Sequence, residues 1–295
     1  IRARSVSRGL GDVYKRQKLD YKLGYLVVRT VEEVKRVHLS EIGVLMLENT
    51  AISLTAYLMC ELIQRKVKVI FCDHERNPYA ELVPAHGSHD SSARIRQQLK
   101  WPEGVRQQVW TEIVREKLRR QRAHLRRRGL PQAEQLTAYL EQLQWNDATN
   151  REGYGAKVYF NALFGLEFTR TDGSALNAAL NYGYSLILSA INREISAAGY
   201  LNQLGIAHEN TYNPFNLGCD FMEPLRPLVD GVVTDMKPEK LEREEKMMLV
   251  NLLNRQVQYD GKQQYLFYAI RLYCGGLFRA LQSGDIAEIK WIEYE

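Results

Sequence analysis

A change of hydrophobic period near residue 93 constrains this chain more than any other feature. Before it, the apolar runs are short and β-like: Tyr25–Arg29, Val34–His38, Val44–Leu47, Val67–Cys72 and Glu81–Val83. One helix is expected among them, Leu54 to about Arg65, with Ser53 as its N-cap. After it, Val105, Val109 and Ile113 with Trp110, Val114 and Leu118 recur at three and four residues, the spacing of a buried helical stripe. Gly129-Leu130-Pro131 ends that helix. Further helices are expected near Glu134–Leu143, Glu152–Phe164, Leu176–Ala198, Asp220–Met236, Arg243–Leu253 and Leu266–Gln282. Asp260-Gly261 reads as a hairpin turn. The two periods cannot share one sheet or one bundle. The expectation is therefore an α+β chain, a small N-terminal β-rich domain followed by a larger all-α domain. The boundaries are 18–86, a polar hinge at 87–93, and 94–295. Residues 1–17 are Gly- and Arg-rich without a period, and read as a non-native scar in which no opening strand can be recognised.

Charge is unevenly distributed. The net charge of +5 includes +4 within the first 17 residues. Arg94 to Arg128 holds twelve Lys or Arg against Glu103, Glu112 and Glu116, a net of +9. The rest is acidic. A polyanion would be steered to one stretch. Within it, Arg115, Arg119, Arg122 and Arg126 form a stripe opposite the apolar one. Such a stripe is either a solvated helix face or a track for duplex phosphates. No apolar run approaches the roughly 20 residues that span a bilayer, and no signal-peptide core opens the chain. Cys60, Cys72, Cys219 and Cys274 are scattered without CxxC, so a disulfide framework is not expected and a reducing cytoplasm is. Cys60 and Cys72 lie in apolar runs and read as buried.

Four residues carry candidate chemistry: Glu152 at the start of a helix, His208 after a Gly-containing turn, and Asp220 and Glu223, three apart and so on one face of a helix. Three carboxylates and one imidazole suit Mg²⁺ or Mn²⁺, which can polarise a phosphodiester and orient a hydroxyl. Each has a plainer alternative. Glu152 suits a helix dipole, His208 a loop hydrogen bond, and Asp220 a helix cap. His86 and His89 could pair on a metal but sit in the polar hinge. A structural-zinc reading lacks HExxH and a second histidine near His208.

The words around these residues narrow the choice. Asn150-Arg151-Glu152-Gly153-Tyr154-Gly155-Ala156-Lys157, Leu176-Asn177-Ala178-Ala179-Leu180-Asn181-Tyr182-Gly183-Tyr184, Gly205-Ile206-Ala207-His208 and Asp220-Phe221-Met222-Glu223-Pro224-Leu225-Arg226-Pro227 follow in that order. From about Lys18 onward the chain resembles the CRISPR-associated integrase family, the metal-dependent nucleases of spacer acquisition. Met222-Glu223-Pro224, His89-Asp90-Ser91-Ser92 and Val69–Asp73 match its type II form. The resemblance implies metal ligation by Glu152, His208 and Glu223, with Asp220 accessory. It implies attack by a DNA 3′-hydroxyl on a target phosphodiester, inserting protospacer DNA at a CRISPR array. Further implications are double-stranded DNA, a homodimer, a small ferredoxin-like CRISPR-associated partner, and in type II systems an effector nuclease and a DNA-clamp protein. Tyr159, Tyr182, Tyr184 and Tyr212 would lie near the site. The competing readings are a repair nuclease that only hydrolyses DNA and a catalytically inactive DNA-binding scaffold.

Overall fold

The described residues between 18 and 82 place their apolar side chains between two small sheets and one helix. In the computed structural model, which describes residues 17–30, 33–74, 78–82 and 90–294, β1 (Lys18–Lys22) and β2 (Tyr25–Arg29) form an antiparallel hairpin. Leu23 and Gly24 both take positive φ at its turn, the geometry that matches strand twist. β3 (Val34–His38) pairs with β2. β4 (Val44–Leu47) belongs to a second sheet. β5 (Ser53–Leu54) runs parallel to β1 and completes the order β3-β2-β1-β5. α1 (Ala56–Gln64) follows. β6 (Lys68–Cys72) and β7 (Pro78–Leu82) then join β4 in the order β4-β6-β7. Leu19, Leu26, Val28, Leu58, Leu62 and Val69 fill the space between them.

The strands expected at Tyr25, Val34 and Val44 are present with those bounds. Other details differ. Lys18–Lys22 forms a strand that the sequence pattern does not announce; its alternation holds only two apolar residues, Leu19 and Tyr21, between charges. The helix begins two residues later than expected. Thr55 caps it by accepting from the Leu58 N–H at 3.2 Å, while Ser53 is drawn into β5. Cys60 faces solvent on α1 rather than the core, whereas Cys72 is buried; all four cysteines are free thiols. Residues 1–16, and His86 and His89, lie outside the described residues. So do residues 87–89 of the hinge.

The remainder is mostly helical. α2 (Ser91–Gln98) leads into α3 (Glu103–Arg127), a 25-residue helix. After Gly129, at positive φ, α4 (Ala133–Glu141) folds back along α3. α5 (Arg151–Phe164) packs on both. α6 (Ala175–Ala197) runs through the core, with Leu180, Ile187, Ile191 and Ile195 fully buried. α7 (Asn216–Met222), a 3₁₀ turn at Glu223–Leu225 and α8 (Arg226–Met236) replace one expected helix. Pro224 and Pro227 lack the N–H groups that would continue it. α9 (Arg243–Val250) precedes the hairpin of β8 (Gln256–Tyr259) and β9 (Lys262–Tyr265). α10 (Leu266–Ser283) and β10 (Ile292–Glu293) end the chain, β10 pairing with β8.

The two regions interlock along α6. Lys68 of β6 pairs with Glu81 of β7, and Glu81 also accepts from the Ser189 hydroxyl. Arg193 Nε donates to the Lys66 carbonyl at 2.6 Å. Among the described residues, no helix is long and apolar enough to cross a membrane.

Candidate active site

The start of α5 is built to hold a carboxylate still. Asn150 adopts left-handed backbone, and its side-chain oxygen accepts from Gly153 N–H at 3.3 Å. Asp147 accepts from the N–H groups of Arg151 at 2.6 Å and Glu152 at 3.0 Å. The first N–H groups of the helix, which lack intrahelical partners, are thereby satisfied. One turn on, a Cβ at Gly155 would stand 2.4 Å from Leu118 Cδ2. Glycine there lets α5 approach α3 closely, and Glu152 comes to face Lys117.

Lys117 organises one half of the site. Its ammonium contacts both Glu152 Oε1 and Glu223 Oε2. The lysine side chain is 5% exposed and that of Glu223 is 4% exposed. Arg226 Nε donates to Glu223 Oε1 at 2.8 Å. Burial alone would raise the Glu223 carboxyl, but Arg226 and Lys117 outweigh it and hold it down at about 2. Burial likewise opposes the charge on Lys117, and the two carboxylates reverse that and raise its pKa.

Asp220 organises the other half through backbone donors and one imidazole. It is fully buried. Its Oδ2 accepts from Ile206 N–H at 2.6 Å and Ala207 N–H at 3.2 Å, and its Oδ1 from His208 N–H at 3.0 Å. Gly205 is needed at this turn, because a Cβ would lie 2.3 Å from the His208 carbonyl and 2.8 Å from Asp220 Oδ2. The ring Nδ1–H of His208 also donates to Asp220 Oδ1, at 2.6 Å. That bond raises the His208 pKa against burial. It also fixes the ring so that Nε2 is the nitrogen left to bind a ligand. Trp110 packs edge-on against the ring with centroids 5.7 Å apart.

A third layer supports Glu223. The Arg226 guanidinium lies over the Tyr184 ring, 4.7 Å from its centroid. The Tyr184 hydroxyl donates to Asp230 Oδ1. Burial pushes Asp230 up to about 6, against Tyr184 and Arg226. Tyr159 and Tyr182 are also buried, whereas Tyr212 is 94% exposed on the loop after His208.

Glu152 and His208 line one cavity of about 420 Å³, with Arg106, Trp110, Asn146 and Asn150. Among the described residues, no three His, Cys, Asp or Glu side chains stand close enough to grip one ion. The donor chemistry nevertheless fits a hard divalent cation. Two carboxylates from separate elements already converge on one cation, the Lys117 ammonium, and an oriented imidazole opens onto the same cavity as Glu152.

The spacing of Asp220 and Glu223 predicts one shared helical face. Both are buried, but their partners differ. Lys117, Arg226 and Asp230 join the site without having been expected as its chemical groups, whereas Tyr184 is among the residues expected near it. Lys117 lies inside a strongly basic stretch, where one inward-facing lysine has no distinguishing neighbour in sequence. Arg226 sits three residues after Glu223 in the same word, and that spacing is a usable signal. Of the stripe, Arg115 pairs with Glu112 at 3.3 Å, Arg119 with Glu116 at 3.4 Å and Arg126 with Glu134 at 3.0 Å. Arg119 and Arg126 are exposed, and Arg115 and Arg122 half-buried. None of the four is among the residues lining the cavity.

Known proteins share both sequence and fold with this chain. A family model described as CRISPR associated protein Cas1 matches residues 13–248. A CRISPR-associated endonuclease Cas1 of Neisseria meningitidis serogroup C is 36% identical over 217 residues, covering 73% of this chain and 71% of that protein. One from Francisella tularensis subsp. novicida is 24% identical over 277 residues, covering 86% and 87%. Among solved structures, a casposase bound to integration product superposes with a TM-score of 0.72 at 20% identity, covering 91% of this chain and 89% of that one. A CAS1 protein from Thermotoga maritima gives 0.72 at 18% identity, covering 91% and 95%. A Cas6-RT-Cas1–Cas2 complex gives 0.72 at 17% identity, covering 95% of this chain and 35% of that one.

Proposed function

The chain belongs to the Cas1 family, and from that premise we propose that it is a metal-dependent DNA endonuclease and integrase of CRISPR adaptation. One observation carries the chemistry: Glu152 and Glu223, from different elements, converge on a single cation position, and the oriented His208 lines the same cavity as Glu152. Glu152, Glu223 and His208 Nε2 would hold Mg²⁺ or Mn²⁺. When bound, the ion supplies Lewis acidity and a template for in-line displacement. Asp220 keeps the His208 ring in one tautomer and one orientation. Arg226 fixes Glu223 by a charge-assisted hydrogen bond. A DNA 3′-hydroxyl attacks the target phosphorus, and the target strand leaves through its own 3′ oxygen. One phosphodiester replaces another, so the protein needs neither a nucleophile of its own nor an energy source. Its contribution is position.

The basic stripe Arg115, Arg119, Arg122 and Arg126 contacts duplex phosphates. The working unit is a homodimer with a small ferredoxin-like CRISPR-associated partner, acting on protospacer DNA and the array in the cytoplasm. In a type II system an effector nuclease and a DNA-clamp protein also take part. Two structures of the same fold, a casposase bound to integration product and a complex containing Cas2, support DNA and partner binding. The test combines the purified chain, its ferredoxin-like partner, a supercoiled array plasmid, a short duplex and Mn²⁺ or Mg²⁺. Duplex joined at the array is the expected product. Cut DNA without joining would instead favour the hydrolytic repair nuclease.

A further inference from the structure

Lys117 stands where the metal reading places the ion, which raises the question of what its charge does there. The cluster of Lys117, Arg226, Glu152 and Glu223 holds two positive and two negative charges in contact. It is neutral as it stands. A divalent ion added to it would leave an excess of two positive charges in a buried place, which is costly. Arg226 cannot lose its proton in compensation and is tied to Glu223 and stacked on Tyr184. Among the described residues, Lys117 is the cation that bridges the two carboxylates. It is also the group with a flexible four-carbon stem and a compact charge. Without it, Glu223 would face burial with only Arg226, and Glu152 would lose the partner that draws it toward Glu223.

We propose that Lys117 is a tethered counter-ion: it holds Glu152 and Glu223 converged on one cation position in the metal-free protein and competes with the divalent ion for that position. This rests on the metal reading above. It has two consequences of opposite sign. Removing the ammonium destabilises the metal-free fold, because two carboxylates lose a shared buried partner. The same change strengthens metal binding, because the ion no longer competes with a charge already in place. A lysine that served only to pack the core would give the first effect without the second.

The experiment measures thermal unfolding in EDTA and in Mn²⁺, together with calorimetric Mn²⁺ titration, for the full chain. Lys117→Met should lower the melting temperature in EDTA by about 5–10 °C. Mn²⁺ should restore most of that loss and bind at least about tenfold more tightly than to wild type. Lys117→Arg, which keeps the cation, should hold stability in EDTA without tightening Mn²⁺ binding. In a Glu152→Gln, Glu223→Gln background, Lys117→Met should neither cost comparable stability nor tighten Mn²⁺. Equal or weaker Mn²⁺ affinity in Lys117→Met overturns the proposal. So does a variant that stays unfolded in both buffers, since the ion must be able to replace the ammonium. A wild-type chain with no response to Mn²⁺ removes the metal reading and this proposal together. A wild-type response with no gain in Lys117→Met removes this proposal alone.

Discussion

The two halves of the site hold buried carboxylates by opposite means. Asp220 is satisfied by three backbone N–H groups and one imidazole, all fixed by the turn at Gly205. Glu223, three residues later, is satisfied by two long cationic side chains. Donors belonging to the backbone cannot be exchanged without unfolding the turn. Cations on flexible stems can. On the metal reading proposed above, the difference separates a carboxylate that positions its neighbours from one that can be handed to an ion, although both are acidic, buried and nearly adjacent in sequence.

The most severe test of that contrast is truncation of each side. Glu223→Ala, Glu152→Ala and His208→Ala should each reduce strand transfer by at least about a thousandfold while DNA binding persists. Full activity in Glu223→Ala would merge the two halves into one structural cluster. Asp220→Asn should be milder, about 10- to 100-fold in metal affinity or activity, as expected for a group acting through a ligand. It should also lower the melting temperature, since one of its oxygens becomes a donor facing N–H groups. A loss as deep as that of Glu223→Ala would mean that Asp220 itself touches the reacting atoms.

The outer face of α3 extends the comparison to charges that never enter the core. Replacing Arg115, Arg119, Arg122 and Arg126 with Gln should weaken DNA binding irrespective of sequence and flatten its salt dependence. The log–log slope should fall by up to about 0.9 for each phosphate no longer neutralised. An unchanged slope would make the stripe a solvated face, paired with Glu112, Glu116 and Glu134 rather than with phosphates.

A smaller effect should come from His124, on the inner face of the same helix. Its Nε2 accepts from Arg128 Nε at 2.7 Å, and its Nδ1 meets the Tyr159 hydroxyl at 2.6 Å. Burial first, then Arg128 and Arg127, lowers its pKa from the ordinary 6.5 to about 4. The unfolded chain therefore takes up a proton in that window that the folded chain does not. The His124 contribution to stability is complete above pH 6.5 and declines as pH falls toward 4. Urea midpoints across that range should fall less steeply with acid for His124→Gln. An identical acid arm would place the histidine outside the linkage.

Much of this is legible in the sequence because it depends on period and on local words. The switch near residue 93 implies an α+β chain, and the strands at Tyr25, Val34 and Val44 follow from alternation alone. Glu152 and His208 are legible as candidate site residues from the helix start and the Gly205 turn that precede them. What stays hidden depends on long-range pairing. β5 is only two residues long and exists because β1 lies beside it. Lys117 acquires its meaning from Glu152, 35 residues on, and Glu223, 106 residues on. Cys60 defeats the pattern because an apolar run in a helix still has an outward face.

If Glu152, Glu223 and His208 form one divalent-metal site from which Lys117 must withdraw, a crystal structure grown in Mn²⁺, with data collected for its anomalous signal, tests it most directly. The expected result is one peak bonded to a carboxylate oxygen of Glu152, a carboxylate oxygen of Glu223 and Nε2 of His208, with Asp220 still on Nδ1 and the Lys117 ammonium moved off both glutamates. A peak ligated elsewhere, or none while Lys117 stays between the two carboxylates, would contradict it.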